Sequence, residues 1–145
     1  MKNTNFTIVL LTLLANFSYG QQVQEKSVYT YANSTMIEKI LDIKEIEYES
    51  IDFNTYKMEL DGFNVIASID DGDLILKTYF SNKPSLNRIN DFNAQYRWAR
   101  AYIDVDGGLT VAEELSFSGG ITIQNISTFL NTFGEILDEF VKQMR

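Results

Sequence analysis

Apolar residues recur along this chain at two spacings, and the switches between them divide it into elements. Ile37, Ile40 and Leu41, with the stem of Lys44, fall at three- and four-residue steps and predict a helix that starts at Ser34 or Thr35. Thr35 and Glu38 have the spacing of a capping box, in which each side chain accepts the other residue's free backbone N–H. From about Glu47 to Phe80 the period drops to two. Tyr56, Met58 and Leu60 alternate with Lys57 and Glu59, Phe63, Val65, Ala67 and Ile69 follow Asp61-Gly62, and Leu74, Leu76, Thr78 and Phe80 follow Asp71-Gly72. Asp-Gly tolerates the positive φ angles of tight hairpins, so three antiparallel strands are predicted, with Glu47 to Ile51 a candidate short extra one.

Ser81 to Ser85 breaks the sheet, and Pro84 or Ser85 opens a second helix whose inward positions are Leu86, Ile89, Phe92, Asn93 and Tyr96. At Ala99 the period returns to two. Ala99, Ala101, Ile103 and Val105 alternate with Arg100, Tyr102 and Asp104, then Asp106-Gly107-Gly108 turns the chain into Leu109 to Phe117, a second hairpin. Thr122 can cap a last helix, in which Ile126, Phe129, Leu130, Phe133, Leu137, Phe140, Val141 and Met144 form the most regular amphipathic stripe of the chain. The expected fold class is therefore α+β: helix, three-stranded meander, helix, β-hairpin and long C-terminal helix around an antiparallel sheet of about five strands.

The N-terminus changes the compartment. Lys2 precedes a mostly apolar run from Phe6 to Phe17, and Ser18-Tyr19-Gly20 puts small residues at the −3 and −1 positions, the three-part form of a secretory signal peptide. The run is too short to cross a bilayer, which takes about 20 residues. Cleavage after Gly20 is expected, leaving residues 21–33 as a flexible polar lead-in and residues 34–145 as one α+β domain. The mature protein would be periplasmic or secreted by a bacterial cell, with no stable membrane insertion.

Composition then removes whole classes of chemistry. The chain contains no cysteine and no histidine, so thiol nucleophiles, disulfides, Ser-His-Asp triads and the commonest zinc ligands are excluded, and no cofactor or metal is expected. Its 145 residues carry a formal charge of −8. Losing Lys2 with the leader takes that to −9, a field that repels phosphate backbones, and no nucleic-acid partner is expected. Asp70-Asp71-Gly72-Asp73 and Asp104-Val105-Asp106-Gly107-Gly108 partly resemble calcium loops, but Leu115 stands where the bidentate glutamate would follow Asp104, so hairpin turns account for both. The sequons Asn33-Ser34-Thr35 and Asn125-Ile126-Ser127 are accounted for by helix capping.

Four residues remain as candidates for contact with a ligand or partner: Arg97, Trp98, Arg100 and Glu113. Arg97 and Arg100 flank the only tryptophan where helix meets strand, a combination that can hold an anionic or carbonyl-bearing group and that also serves plain surface stacking. Glu113 shares the parity of Leu109, Val111, Leu115 and Phe117. Either a bulge around Ala112 to Glu114 turns it outward, or a carboxylate faces the core and requires a cation such as Arg97, Arg100 or Lys77; on the cost of burying an unpaired charge, the bulge or an edge position is expected. Asn90 and Asn93 lie one turn apart, and Asn93 is expected to tie its helix to a neighbouring backbone.

Asn93-Ala-Gln-Tyr-Arg-Trp-Ala-Arg-Ala-Tyr-Ile-Asp104, followed by the hairpin and by Leu115-Ser-Phe-Ser-Gly-Gly-Ile121, resembles the YbjN-domain family, described in terms of bacterial sensory transduction regulation. The resemblance covers Leu86 to Ile126 and extends weakly over the meander. It implies a fold similar to type III secretion chaperones, which bind polypeptide and often dimerise, and it brings no catalytic residues. Family members look mostly cytoplasmic, so an export signal is a departure. Together these observations lead to the expectation of an exported, non-enzymatic protein- or peptide-binding module, with a homodimer as one form of partner. The alternative is a small-ligand sensory-input domain using Arg97, Trp98 and Arg100.

Overall fold

The computed structural model describes residues 27–82 and 84–145, so the expected leader lies outside the described residues. The elements in chain order are β1 (Val28–Tyr29), α1 (Ser34–Ile43), β2 (Tyr48–Asp52), β3 (Thr55–Leu60), β4 (Phe63–Asp70), β5 (Asp73–Phe80), α2 (Leu86–Gln95), β6 (Ala99–Ile103), β7 (Leu109–Leu115), β8 (Ile121–Thr122) and α3 (Ile123–Met144). The two Asp-Gly pairs make the meander. Asp61 and Gly62 take φ of 50° and 83°, Asp71 and Gly72 48° and 84°, the pair of positive angles that a two-residue hairpin of matching twist requires.

The main sheet has six strands in the order β2-β3-β4-β5-β7-β6, all antiparallel, so the short extra strand is real and forms one edge. After β5 the chain leaves through α2 and returns as the opposite edge, β6, and only then does β7 slot between them. The hairpin's second strand is thus interior and its first is exposed along one side. Within the segment expected as a lead-in, Val28 and Tyr29 pair with Thr122 and Ile121, and the N–H of buried Ala32 donates to the Gly72 carbonyl at 2.6 Å.

One face of the sheet is covered. Tyr56 and Met58, Val65 and Ala67, Leu74 and Leu76, Leu109 and Val111, and Ala99 and Ala101 are buried there, strand by strand at alternate positions, in one cluster with the apolar stripes of the three helices. From α3 come Ile126, Phe129, Leu130, Phe133, Leu137 and Phe140, as its stripe predicts. Phe92 of α2 joins this cluster by stacking on Tyr96 at 4.6 Å and meeting Phe140 edge-on at 4.9 Å.

The caps partly differ from expectation. Thr122 and Asn125 form a full capping box at the start of α3, and Ser85 caps α2. At α1 the cap is Asn33, whose carboxamide oxygen accepts the Met36 N–H at 3.0 Å, in place of the box expected at Thr35. Three competent capping residues stand in a row there, and Asn33 is the one held extended, while the Ser34 hydroxyl donates to Asn54 at 2.5 Å. Leu86, Ile103 and Val105, expected inward, are exposed: Leu86 and Ile103 stand at the ends of α2 and β6, and Val105 lies beyond β6 in the turn to β7.

Candidate functional site on the open face of the sheet

The two ladders that hold β7 decide where Glu113 points. Leu76, Glu113 and Ala99 form one cross-strand row, and the pairing on either side, at Ala112 and Glu114 with β5 and at Ala112 with β6, continues without interruption. No bulge turns Glu113 outward and no edge relieves it. Slipping β7 by one residue would turn Leu109 and Val111 to solvent, so the register carries the carboxylate inward with them. Glu113 is 8% exposed, and its Oε2 is buried without a hydrogen-bond partner. Among the described residues no cation pairs with it. Instead of pairing, the carboxyl is pushed by desolvation to a pKa of about 7. Thr78, whose pairing with Val111 makes it a diagonal neighbour of Glu113, likewise has a buried hydroxyl without a partner.

The alternation that points Glu113 inward points its neighbours outward. On the other face of the sheet Glu49, Lys57, Ile66, Lys77, Ala112 and Arg100 are cross-strand partners in unbroken succession from one edge to the other. Beside this row lies a second, Tyr79, Thr110 and Tyr102, with the two tyrosines 59% and 40% exposed. Among the described residues no helix stripe covers these positions, and Lys57 and Arg100 are exposed.

At the β6 end the face dips into a depression of about 410 Å³ lined by Ile75, Lys77, Arg97, Trp98, Arg100, Tyr102, Ala112, Glu113 and Glu114. Ala112 makes the low floor between Lys77 and Arg100, since a methyl group stands where its cross-strand partners carry long side chains. Of the four residues singled out from the sequence, Arg97, Trp98 and Arg100 come together at this depression, whereas Glu113 adjoins it from within the sheet and sends its carboxyl to the opposite, covered face. Trp98 is 72% exposed, with the Arg97 guanidinium 5.8 Å from its ring centroid, a cation–π contact at the rim. Among the described residues the one ion pair is Lys142 with Glu139 on α3, so Lys57, Lys77, Arg97 and Arg100 have no carboxylate within pairing distance. They share the face with Glu49, the cross-strand partner of Lys57, and with Glu59 and Glu114, so cations and carboxylates are interspersed there. Arg97 and Arg100 at the depression can hold and orient an anion; among the described residues the site assembles no nucleophile with a base.

Sequence reasoning did not single out Lys57 and Tyr102 as contacts, and considered Lys77 only as a counter-ion for Glu113. Their shared outward parity was readable. Their common row was not, since it depends on which strands become neighbours.

The remaining polar candidates are structural. The Asn93 carboxamide accepts the Ala101 N–H at 2.8 Å and donates to the Ala101 carbonyl at 2.9 Å, filling the outward hydrogen-bonding positions in the middle of edge strand β6. Asp104 accepts from the N–H groups of Asp106 and Gly108 at 3.0 and 2.7 Å and so closes its own turn, while Asp73 accepts from that of Phe117 at 2.7 Å and ties the start of β5 to the segment after β7.

Comparison with known proteins agrees with this architecture. The chain resembles the crystal structure of YbjN from E. coli, described as a putative transcription regulator, with a TM-score of 0.68 at 14% identity over 79% of this chain and 92% of that one. An uncharacterised protein from Methanothermobacter thermautotrophicus superposes with a TM-score of 0.50 at 17% identity, covering 77% of this chain and 98% of the other. These likenesses are of fold. No curated protein matches in sequence. A family model described as "Putative bacterial sensory transduction regulator" matches residues 33–145, and the chain belongs to that family, YbjN.

Proposed function

We propose that this protein is an exported, non-enzymatic module that binds another polypeptide on the helix-free face of its sheet. The observation that carries this reading is the contrast between surfaces. The apolar stripe of α3 is consumed by the core, and the β6 edge is blocked at its centre by Asn93, so neither is free to receive a partner. The open face presents exposed Tyr79, Tyr102 and Trp98 beside unpaired cations. Exposed aromatic residues and arginine are the residue types that dominate binding energy at protein interfaces. Membership of a regulatory family and a chain without histidine or cysteine both fit binding better than turnover. A sensory-input domain taking a small anion in the 410 Å³ depression is the alternative, and it would use the same Arg97, Trp98 and Arg100.

Photo-crosslinking in the producing bacterium tests the surface. A benzophenone amino acid placed at Tyr79 or Tyr102 gives polypeptide adducts of defined mass, and one at exposed Glu135 on α3 gives none. Adducts from Glu135 alone, or from no position, would remove the sheet face as the binding surface.

A further inference from the structure

We infer that the depression at the β6 end of the open face is a site for a free α-amino acid with an apolar or aromatic side chain, its carboxylate between Lys77 and Arg100 and its ammonium on Glu114. Such a ligand occupies the depression alone and leaves the rest of the sheet face to a polypeptide. The strand pairing sets out the parts. Ala112 is flanked by Lys77 on β5 and by Arg100 on β6, and two residues further along β7 Glu114 is flanked by Ile75. Trp98, which directly precedes the pairing of Ala99 with Glu113, lines the same end of the depression. Charged groups of both signs therefore sit around one floor, with an aliphatic and an aromatic side chain beside them.

The spacing fits a small dipolar molecule. With strands about 4.8 Å apart, the backbones carrying Lys77 and Arg100 are about 9.6 Å apart, so two long side chains can close on a carboxylate held over the methyl group of Ala112. Glu114 lies about 6.8 Å along β7 from Ala112, a gap that a glutamate side chain narrows by leaning along its strand. Among the described residues neither Glu114 nor Lys77, Arg97 or Arg100 forms an ion pair, so opposite charges share this depression without consuming one another. A simple anion would meet the cations and also the repulsion of Glu114, and a simple amine would meet three cations and one carboxylate. A zwitterion answers both signs at once.

The apolar lining selects the side chain. Trp98 is 72% exposed and carries the Arg97 guanidinium 5.8 Å from its ring centroid, which leaves the other face of the indole for a flat or branched apolar group, with half-buried Ile75 nearby. A volume of about 410 Å³ is at the lower end of small-ligand sites and accommodates a single amino acid. A residue inside a polypeptide has lost both charges to its peptide bonds, so the site distinguishes a free amino acid from a chain segment.

Trp98 is the only tryptophan, so its emission reports occupancy directly. Phenylalanine titrated into the mature protein is expected to change that emission saturably. Phenylpropanoate, which lacks the ammonium, and phenethylamine, which lacks the carboxylate, bind about three- to five-fold more weakly or worse, and N-acetylphenylalaninamide, which has neither charge, gives no saturable response. Glu114→Gln weakens phenylalanine about three- to five-fold without weakening phenylpropanoate, Arg100→Gln weakens both, and Lys39→Gln on the exposed side of α1 changes neither. Absence of a saturable response to phenylalanine would overturn the inference. So would phenylpropanoate or N-acetylphenylalaninamide binding as tightly as phenylalanine, the first marking a plain anion site and the second a purely apolar one, or a Glu114→Gln variant that keeps the parent's preference for the zwitterion.

Discussion

Glu113 makes the stability of this protein depend on pH in a direction opposite to that of most carboxylates. In the unfolded chain it ionises near 4.5, and in the fold near 7, because burial penalises the charged form and no cation compensates. Below the unfolded value both states hold the proton and the fold has its full stability. Between about 4.5 and 7 the unfolded chain releases the proton while the fold keeps it, so stability falls by about 1.4 kcal/mol for each pH unit, and above about 7 the fall levels off. The difference of about 2.5 units sets an upper bound of about 3 kcal/mol, which any solvent reaching the carboxyl lowers. Glu113→Gln keeps the shape and removes the charge. Urea unfolding of parent and variant at pH 4, 5, 6, 7 and 8 should give nearly equal stabilities at pH 4 and a variant up to about 3 kcal/mol more stable at pH 8, which for a domain of this size is a Tm difference of up to about 10 °C. A parent as stable at pH 8 as at pH 5, or a variant that keeps the parent's pH dependence, would refute the buried, uncompensated carboxyl.

Two further substitutions probe the scaffold that holds the open face. Asn93→Ala removes both hydrogen bonds to Ala101 and leaves that backbone unsatisfied beside α2, at a cost of about 2–3 kcal/mol in urea unfolding. It also exposes the β6 edge, so light scattering should show concentration-dependent association that the parent lacks. Gly134 lies in mid-α3 where an added Cβ would meet the Asp61 side chain, its Cγ at 3.0 Å and its Cβ at 3.4 Å, so the β3–β4 turn is seated directly on the helix. Gly134→Ala should lower stability by about 1–3 kcal/mol despite alanine's better helix propensity, and the same change in an Asp61→Gly background should be neutral or stabilising by thermal denaturation.

The elements whose specification is local were legible. Asp61-Gly62 and Asp71-Gly72 adopt the positive φ angles that identify them as hairpin turns, and the stripe of α3 is buried along almost its whole length. Asn93 could be read as a tie between helix and backbone because an amide one turn inside an amphipathic face, next to a strand, has few other uses. Where several residues compete for one local role, sequence could not choose, as at Asn33, Ser34 and Thr35. At Glu113 the parity was read correctly, but the local cost of burying a charge argued for a bulge. Two flanking ladders outweigh that cost, and protonation relieves it at a few kcal/mol, less than turning Leu109 and Val111 into water.

The sequence alone determined which positions alternate, which turns close, the α+β class and the absence of histidine and cysteine chemistry, since each of these depends on side-chain identity and short-range backbone preference. Only the tertiary structure decided that β7 inserts between β5 and β6. That order joins Lys57, Lys77 and Arg100 in one row, although the meander, α2 and the hairpin separate them along the chain. Strand neighbours are chosen by the burial of the whole inner face, a property of the assembled sheet that no local window contains.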